Sequence, residues 1–280
     1  MNPTEIAKFL QDLHRLPSLS TVVLELLSTL NHEDVDSELL VAKIGQDQVL
    51  AARTLKLANS SFYGMTVPVA TIQDAVSILG RRAIRRLASS AALMVVFPLK
   101  SQAGFDAQAL WRHAVATAIF AGELARLIRS DEDTAYVAGL LHDVGRLALA
   151  TQFPDAYAQA MAYRMERTCT VTMAETAILG IDHADAGAAL IDHWHLAPSL
   201  QQAVAAHHRD VTPDSALLSV IVCTANTLAH ALDPEDGSGP VELAVPATTL
   251  QRLGVSNIAL NAVLEKAALQ LAAASGAIDD

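Results

Sequence analysis

Six side chains have the types and spacing for metal chemistry: His113, the pair His142-Asp143, His183, and the pair His207-His208. Imidazole and carboxylate together make a donor set for a first-row divalent ion, Fe, Mn, Zn or Ni, and the residue types alone do not choose among these. Only Cys169 and Cys223 are present, too few for a cysteine-rich knot, so a metal here must be held by His and carboxylate. A lone helical histidine is more often a hydrogen-bonded core or surface group than a ligand. An ordered set on separate helices reads differently, because helical bundles build metal sites from side chains of facing helices. His142-Asp143 lies in the apolar stretch Gly139-Leu140-Leu141-His142-Asp143-Val144-Gly145-Arg146, and burying such a pair requires a metal or close polar partners. His193 and His195 flank Trp194 at i,i+2, point to different helix faces, and read as surface residues. His14, His32 and His230 have no companion pattern.

The elements that must carry these residues read as helices. Leu13, Leu16, Leu19, Val22, Val23, Leu26, Leu27 and Leu30 recur at helical spacing, a second helix begins near Ser37, and a third runs from Val49 to Ala58. A helix through Ile72 and Leu79 pauses at Gly80. Arg81, Arg82, Arg85 and Arg86 then form a basic stripe, which reads more commonly as a solvated helix face and otherwise as a contact for an acidic partner surface. The pattern breaks around Phe97, Pro98, Gly104 and Phe105, which places a boundary between a lobe of residues 1–105 and a lobe of residues 106–280. Further helices are expected over residues 107–129, 133–150, 154–167, 172–178, 183–194, 200–208 and 215–232. A breaker-rich loop from Asp233 to Pro240 follows, and a closing helix contains Leu260, Val263, Leu264, Ala267, Ala268 and Leu271.

Composition excludes several classes. The 280 residues are 52% hydrophobic and only 4% aromatic, an Ala- and Leu-rich profile that favours helix over sheet. Charged residues interrupt every apolar stretch before the ~20 residues needed to cross a bilayer. The N-terminus lacks the basic, apolar, small-residue order of a secretory signal, so a cytoplasmic location is expected, with no membrane partner. A net charge of −11 disfavours general nucleic-acid binding. That charge is unevenly placed: residues 1–105 carry 10 basic and 9 acidic side chains, residues 106–280 carry 9 and 21.

Over roughly residues 10 to 230 the sequence resembles the HDOD branch of the HD superfamily. The resemblance is carried in the first half by Leu16-Pro17, Ile44-Gly45-Gln46-Asp47-Gln48-Val49-Leu50, Leu57-Ala58-Asn59-Ser60-Ser61-Phe62-Tyr63-Gly64, and Ile72 to Gly80 with Asp74-Ala75-Val76. In the second half it is carried by Trp111 with His113, the His142-Asp143 segment, Leu179-Gly180-Ile181-Asp182-His183, His207-His208 and Ala225-Asn226. It implies an all-α, two-lobed fold with an HD-type bundle in the second lobe. It also implies an output or scaffold role in bacterial signalling, in which members are commonly joined to receiver, GGDEF or EAL domains.

The catalytic HD phosphohydrolases imply a ligand set of His113, His142, Asp143 and Asn226, and here the last position is an amide where they have a carboxylate. The HD-GYP phosphodiesterases add histidines comparable to His183, His207 and His208. After His208, however, the chain reads Arg209-Asp210-Val211-Thr212-Pro213 without their signature, and Arg146 replaces their lysine. The resulting expectation is a non-catalytic signalling module that acts through a signalling protein partner and retains a metal at His113, His142, Asp143, His183, His207 and His208. A metal-dependent phosphodiesterase or phosphohydrolase is the alternative. In a third reading the histidines only pack and hydrogen-bond inside the bundle.

Overall fold

Several of the described helices start where a short polar side chain folds back on the first turn. Thr71, Asp106, Asp131, Thr170 and Asp182 each accept a hydrogen bond from a backbone N–H two or three residues on. A computed structural model describes residues 37–59, 69–96, 105–232 and 245–278. The elements are α1 (Ser37–Gly45), α2 (Gln48–Ala58), α3 (Ile72–Leu79), α4 (Arg81–Val96), α5 (Ala107–Leu127), α6 (Glu132–Leu141) and α7 (Val144–Gln152). Then come α8 (Pro154–Arg167), α9 (Val171–Leu179), α10 (His183–His193), α11 (Pro198–Ala206), α12 (Leu217–Leu232), α13 (Ala247–Leu253) and α14 (Asn257–Ile278). The fold is all-α, as expected. None of the described helices is long and apolar enough to cross a membrane.

Helix α5 is the axis, packed against α6, α12 and α14. One of its faces, with Leu110, Trp111, Ala114 and Ala118, joins a core that extends from Leu40 to Val222; another, with Phe120, Ala121, Leu124 and Ala125, joins a core shared with α12 and α14. Small residues set the spacing. A Cβ placed on Gly139 of α6 would fall 2.8 Å from the Ala118 Cα, so only glycine lets α6 lie this close to α5.

Two expectations are corrected. The single helix over 133–150 is in fact two, α6 and α7, interrupted at His142-Asp143. Asp143 takes the N-cap position of α7 with φ −100° and ψ 11° but makes no side-chain capping bond, since its carboxylate is turned toward the histidines. The basic stripe is likewise largely consumed within the chain. Arg82, Arg85 and Arg86 converge on Asp133, with Arg86 Nη2 2.9 Å and Arg85 Nη2 3.3 Å from its oxygens, and Arg82 also reaches Glu132 at 3.1 Å. The stripe therefore ties α4 to the start of α6. Sequence reading also missed α13, a short helix ended by Gly254 at φ 67°. The expected helix from Leu13 to Leu30, the Ser60–Gly64 run, most of the break before Phe105, the Asp233–Pro240 loop, His14 and His32 lie outside the described residues.

Candidate metal centre

Each candidate ligand sits at a helix end or on a buried helix face. His113 is buried one third of the way along α5; His142 closes α6 and Asp143 opens α7; His183 is the first residue of α10; His207 and His208 follow α11. Helix ends suit the purpose, because side chains there project past the last turn into the space where helices meet. The structure brings all six together in two overlapping groups, Asp143 with His183, His207 and His208, and His113 with His142 and Asp143, the ligand atoms of each group lying within 4.8 Å of one another.

Asp143 joins the groups through its two oxygens. Oδ1 is 3.2 Å from His183 Nε2 and 3.4 Å from His207 Nε2, while Oδ2 is 3.7 Å from His142 Nε2 and accepts a 3.2 Å hydrogen bond from Arg146. His183 Nε2 is 2.9 Å from His208 Nε2, and His113 Nε2 is 3.2 Å from His142 Nε2. Ligands held about 2.1 Å from one tetrahedral ion stand about 3.4 Å apart, which is the scale of these separations.

The outer nitrogens are anchored. His142 Nδ1 donates to Gly139 O at 2.7 Å, His207 Nδ1 to Val204 O at 2.6 Å, and His183 Nδ1 to Glu175 Oε2 at 2.6 Å. Tying Nδ1–H to an acceptor turns Nε2 inward and orients the ring, the arrangement that supports metal-ligating histidines. His207 Nε2 is buried without a hydrogen-bond partner. These observations fit a divalent ion and fit the packing-only reading poorly, since a buried polar atom without a partner is costly.

The close approach has a backbone cause. A Cβ on Gly145 would lie 2.0 Å from His183 O and 2.6 Å from Gly187 N, so α7 reaches the start of α10 only because both positions lack a side chain. Buried Glu175 of α9 also accepts from the His183 backbone N–H at 2.9 Å and so pins that end of α10.

Electrostatics divide the histidines. Burial would lower His183, but the fields of Glu175 and Asp143 and their hydrogen bonds outweigh it and raise the group to about 10. Burial, with the neighbouring His207 and His183, drives His208 down to about 2, and burial takes His142 well below its ordinary value. Burial opposes the charge on Asp143 as well, yet the fields of His142 and His183 and the hydrogen bond from His183 keep its carboxyl well below the usual range. The pocket thus holds an ionised carboxylate beside two imidazoles, His142 and His208, that burial keeps neutral, with a proton on His183 that a cation would displace.

Asn226 of α12 faces this centre, its Oδ1 2.8 Å from His113 Nε2. The amide stands where the resemblance placed a carboxylate ligand. Sequence reading missed three participants. His230, set aside as companionless, stacks on His113 with ring centroids 4.3 Å apart. Tyr157 receives a 3.2 Å hydrogen bond from Arg146. Glu175 left a usable signal, the one charged residue within Val171–Leu179. His193 and His195 are exposed, as expected.

The HDOD domain pattern matches residues 16–210. The chain belongs to the HDOD family. Among solved structures, this HDOD chain is similar to a candidate phosphohydrolase of Shewanella amazonensis SB2B at 27% identity, covering 96% of this chain and 97% of that one with a TM-score of 0.74. An HDOD domain protein of Geobacter sulfurreducens shares the fold at 23% identity, with 98% of each chain covered and a TM-score of 0.77. So does a candidate signal transduction protein of Marinobacter aquaeolei VT8, at 22% identity and a TM-score of 0.79, with 99% of this chain and 65% of that one covered. Of the curated relatives, an uncharacterised protein of Treponema pallidum is 28% identical over 73% of this chain, and ribonuclease Y of a Sulfurovum species is 31% identical over 48%. The HDOD chain spans 40% of the length of the first and 20% of the second.

Proposed function

We propose that this HDOD protein is a signal-transduction module that holds a first-row divalent metal in its histidine centre and acts by binding a protein partner rather than by turnover. The observation that carries the metal part is the Asp143 carboxylate set between His183 and His207 on one oxygen and His142 on the other, with the outer nitrogens of all three rings anchored. In this reading His113, His142, Asp143, His183, His207 and His208, all from the expected second lobe of residues 106–280, hold the metal. A bound divalent ion supplies Lewis acidity.

Asn226 supports the non-catalytic part. Its amide oxygen can face a cation but brings no charge, so the ligand set is one negative charge poorer than with a carboxylate there. Arg146 does not stand free for an anionic substrate: it donates to Asp143 and to Tyr157, and holds the carboxylate in place. The second reading is a metal-dependent phosphohydrolase, favoured by the assembled centre and by the full-length likeness to the Shewanella protein.

Elemental analysis of protein purified without metal-affinity steps tests the site; a first-row metal lost in His142→Ala/Asp143→Ala is expected, and no metal in the wild type sinks the site. Turnover of cyclic di-GMP, nucleotides and a generic phosphodiester by metal-loaded protein tests the rest. No turnover is expected, and robust turnover that disappears in the double variant establishes the phosphohydrolase instead.

A further inference from the structure

The loop after His208 and the first turns of α12 enclose a cavity of about 300 Å3 that none of the six candidate ligands lines. Ser219 lines it, is 6% exposed, and has no hydrogen-bond partner for its hydroxyl. A helical hydroxyl ordinarily bonds back to the carbonyl four residues earlier, as Thr224 does to Val220 and Thr227 to Cys223 on this same helix. For Ser219 that carbonyl belongs to Ser215, and both its lone pairs are taken by Arg252, through Nε at 3.2 Å and Nη2 at 3.0 Å. The hydroxyl is therefore left for an occupant of the cavity.

The walls indicate what that occupant is. Ala205, Ala206 and Val220 give an apolar lining suited to an alkyl stem, and Asp210 and Asp214 bring two exposed carboxylates. The one lining cation, Arg209, lies 3.6 Å from the Asp185 carboxylate outside the cavity lining. The acidic field reaches inside: the Cys223 thiol is pushed up by burial and by Asp210.

We propose that this cavity binds an alkylguanidinium or alkylammonium group, with the cation between Asp210 and Asp214 and the Ser219 hydroxyl, and the stem along Ala205, Ala206 and Val220. The group can come from a basic side chain of a protein partner or from a free amine. The site stands apart from the metal reading, because none of its residues is a candidate ligand.

Cys223 lines the cavity and reports its occupancy. In a Cys169→Ser background, the alkylation rate of Cys223 by iodoacetamide is measured with agmatine, with spermidine, with a blocked Ala-Ala-Arg-Ala-Ala peptide, and with the uncharged urea analogue of agmatine. Saturable protection by a charged probe and none by the urea analogue is expected. Protection by the peptide alone assigns the partner source, by the amines alone the free-amine source, and by both the shared chemistry. Asp210→Asn/Asp214→Asn changes only exposed side chains and should raise the dissociation constant about tenfold or more, as expected when a charged hydrogen-bonding partner is lost. Ser219→Leu should abolish protection by filling the cavity. The proposal is overturned if no charged probe protects, if the urea analogue protects equally, or if the double Asn variant is protected with an unchanged dissociation constant.

Discussion

At the scale of single residues, the proton on His183 makes a prediction for the metal-free protein. Its folded value of about 10 exceeds the ordinary 6.5, so its contribution to stability is complete below pH 6.5 and is lost as pH rises toward 10. His142 and His208 are shifted the other way. Their contribution is complete above pH 6.5 and is lost as pH falls through their lowered folded values, about 2 for His208. Melting temperature in chelator should therefore peak near pH 6.5 and fall on both sides, with added metal removing the alkaline fall; a melting temperature still climbing from pH 7 to 9 without metal contradicts the assignment. Glu175→Gln keeps the volume but removes the charge that orients His183. Metal affinity in a competition with a chelating dye should drop about 10–100-fold, the usual effect of losing such a partner, while the fold persists.

Among elements, the junction of α7 and α10 is the place where local sequence decides global geometry. Gly145→Ala places a methyl group 2.0 Å from His183 O, and backbone cannot yield as a flexible side chain can. We expect a loss of about 3 kcal/mol in chemical denaturation, at the upper end of overpacking costs. Metal affinity should fall as well, because separating α7 from α10 pulls Asp143 away from His183. Equal stability and affinity in the variant would mean that the two helices need not touch. The split of the expected 133–150 helix belongs to this scale too. Apolar periodicity runs without interruption through His142-Asp143, so nothing local announces the break; it is imposed by contacts between Asp143 and residues 40 and more positions away.

For the whole molecule, the junction of α4 with α6 matters most. Asp133 is 4% exposed and receives Arg82, Arg85 and Arg86, and the Arg86 guanidinium also lies over the Tyr136 ring at 5.0 Å. Removing one partner of a buried ion pair leaves the others uncompensated, at a cost of about 3–5 kcal/mol. Asp133→Asn should lower urea-unfolding stability by roughly that amount. A change within 0.5 kcal/mol, typical of surface sites, would show the cluster to be solvated and dispensable. Because His142 caps the end of α6, the variant also reports whether α4 braces the centre.

The sequence by itself determined the all-α class, the limits of most helices and the identity of all six candidate ligands. Helix is a local property, set by Ala and Leu content, apolar periodicity and caps such as Asp106 and Asp131. The ligands were legible because His142-Asp143 and His207-His208 are short, chemically distinctive strings in apolar surroundings. Tertiary structure alone decided that Asp143 faces both groups at once, that His230 stacks on His113, and that Glu175 anchors His183. It also turned the arginine stripe inward. A helical periodicity says which face of a helix is apolar, but not which other helix that face meets. The partner of a charge or an imidazole is fixed by through-space distance, and Asn226 reaches His113 across 113 positions of chain by packing that no local pattern encodes.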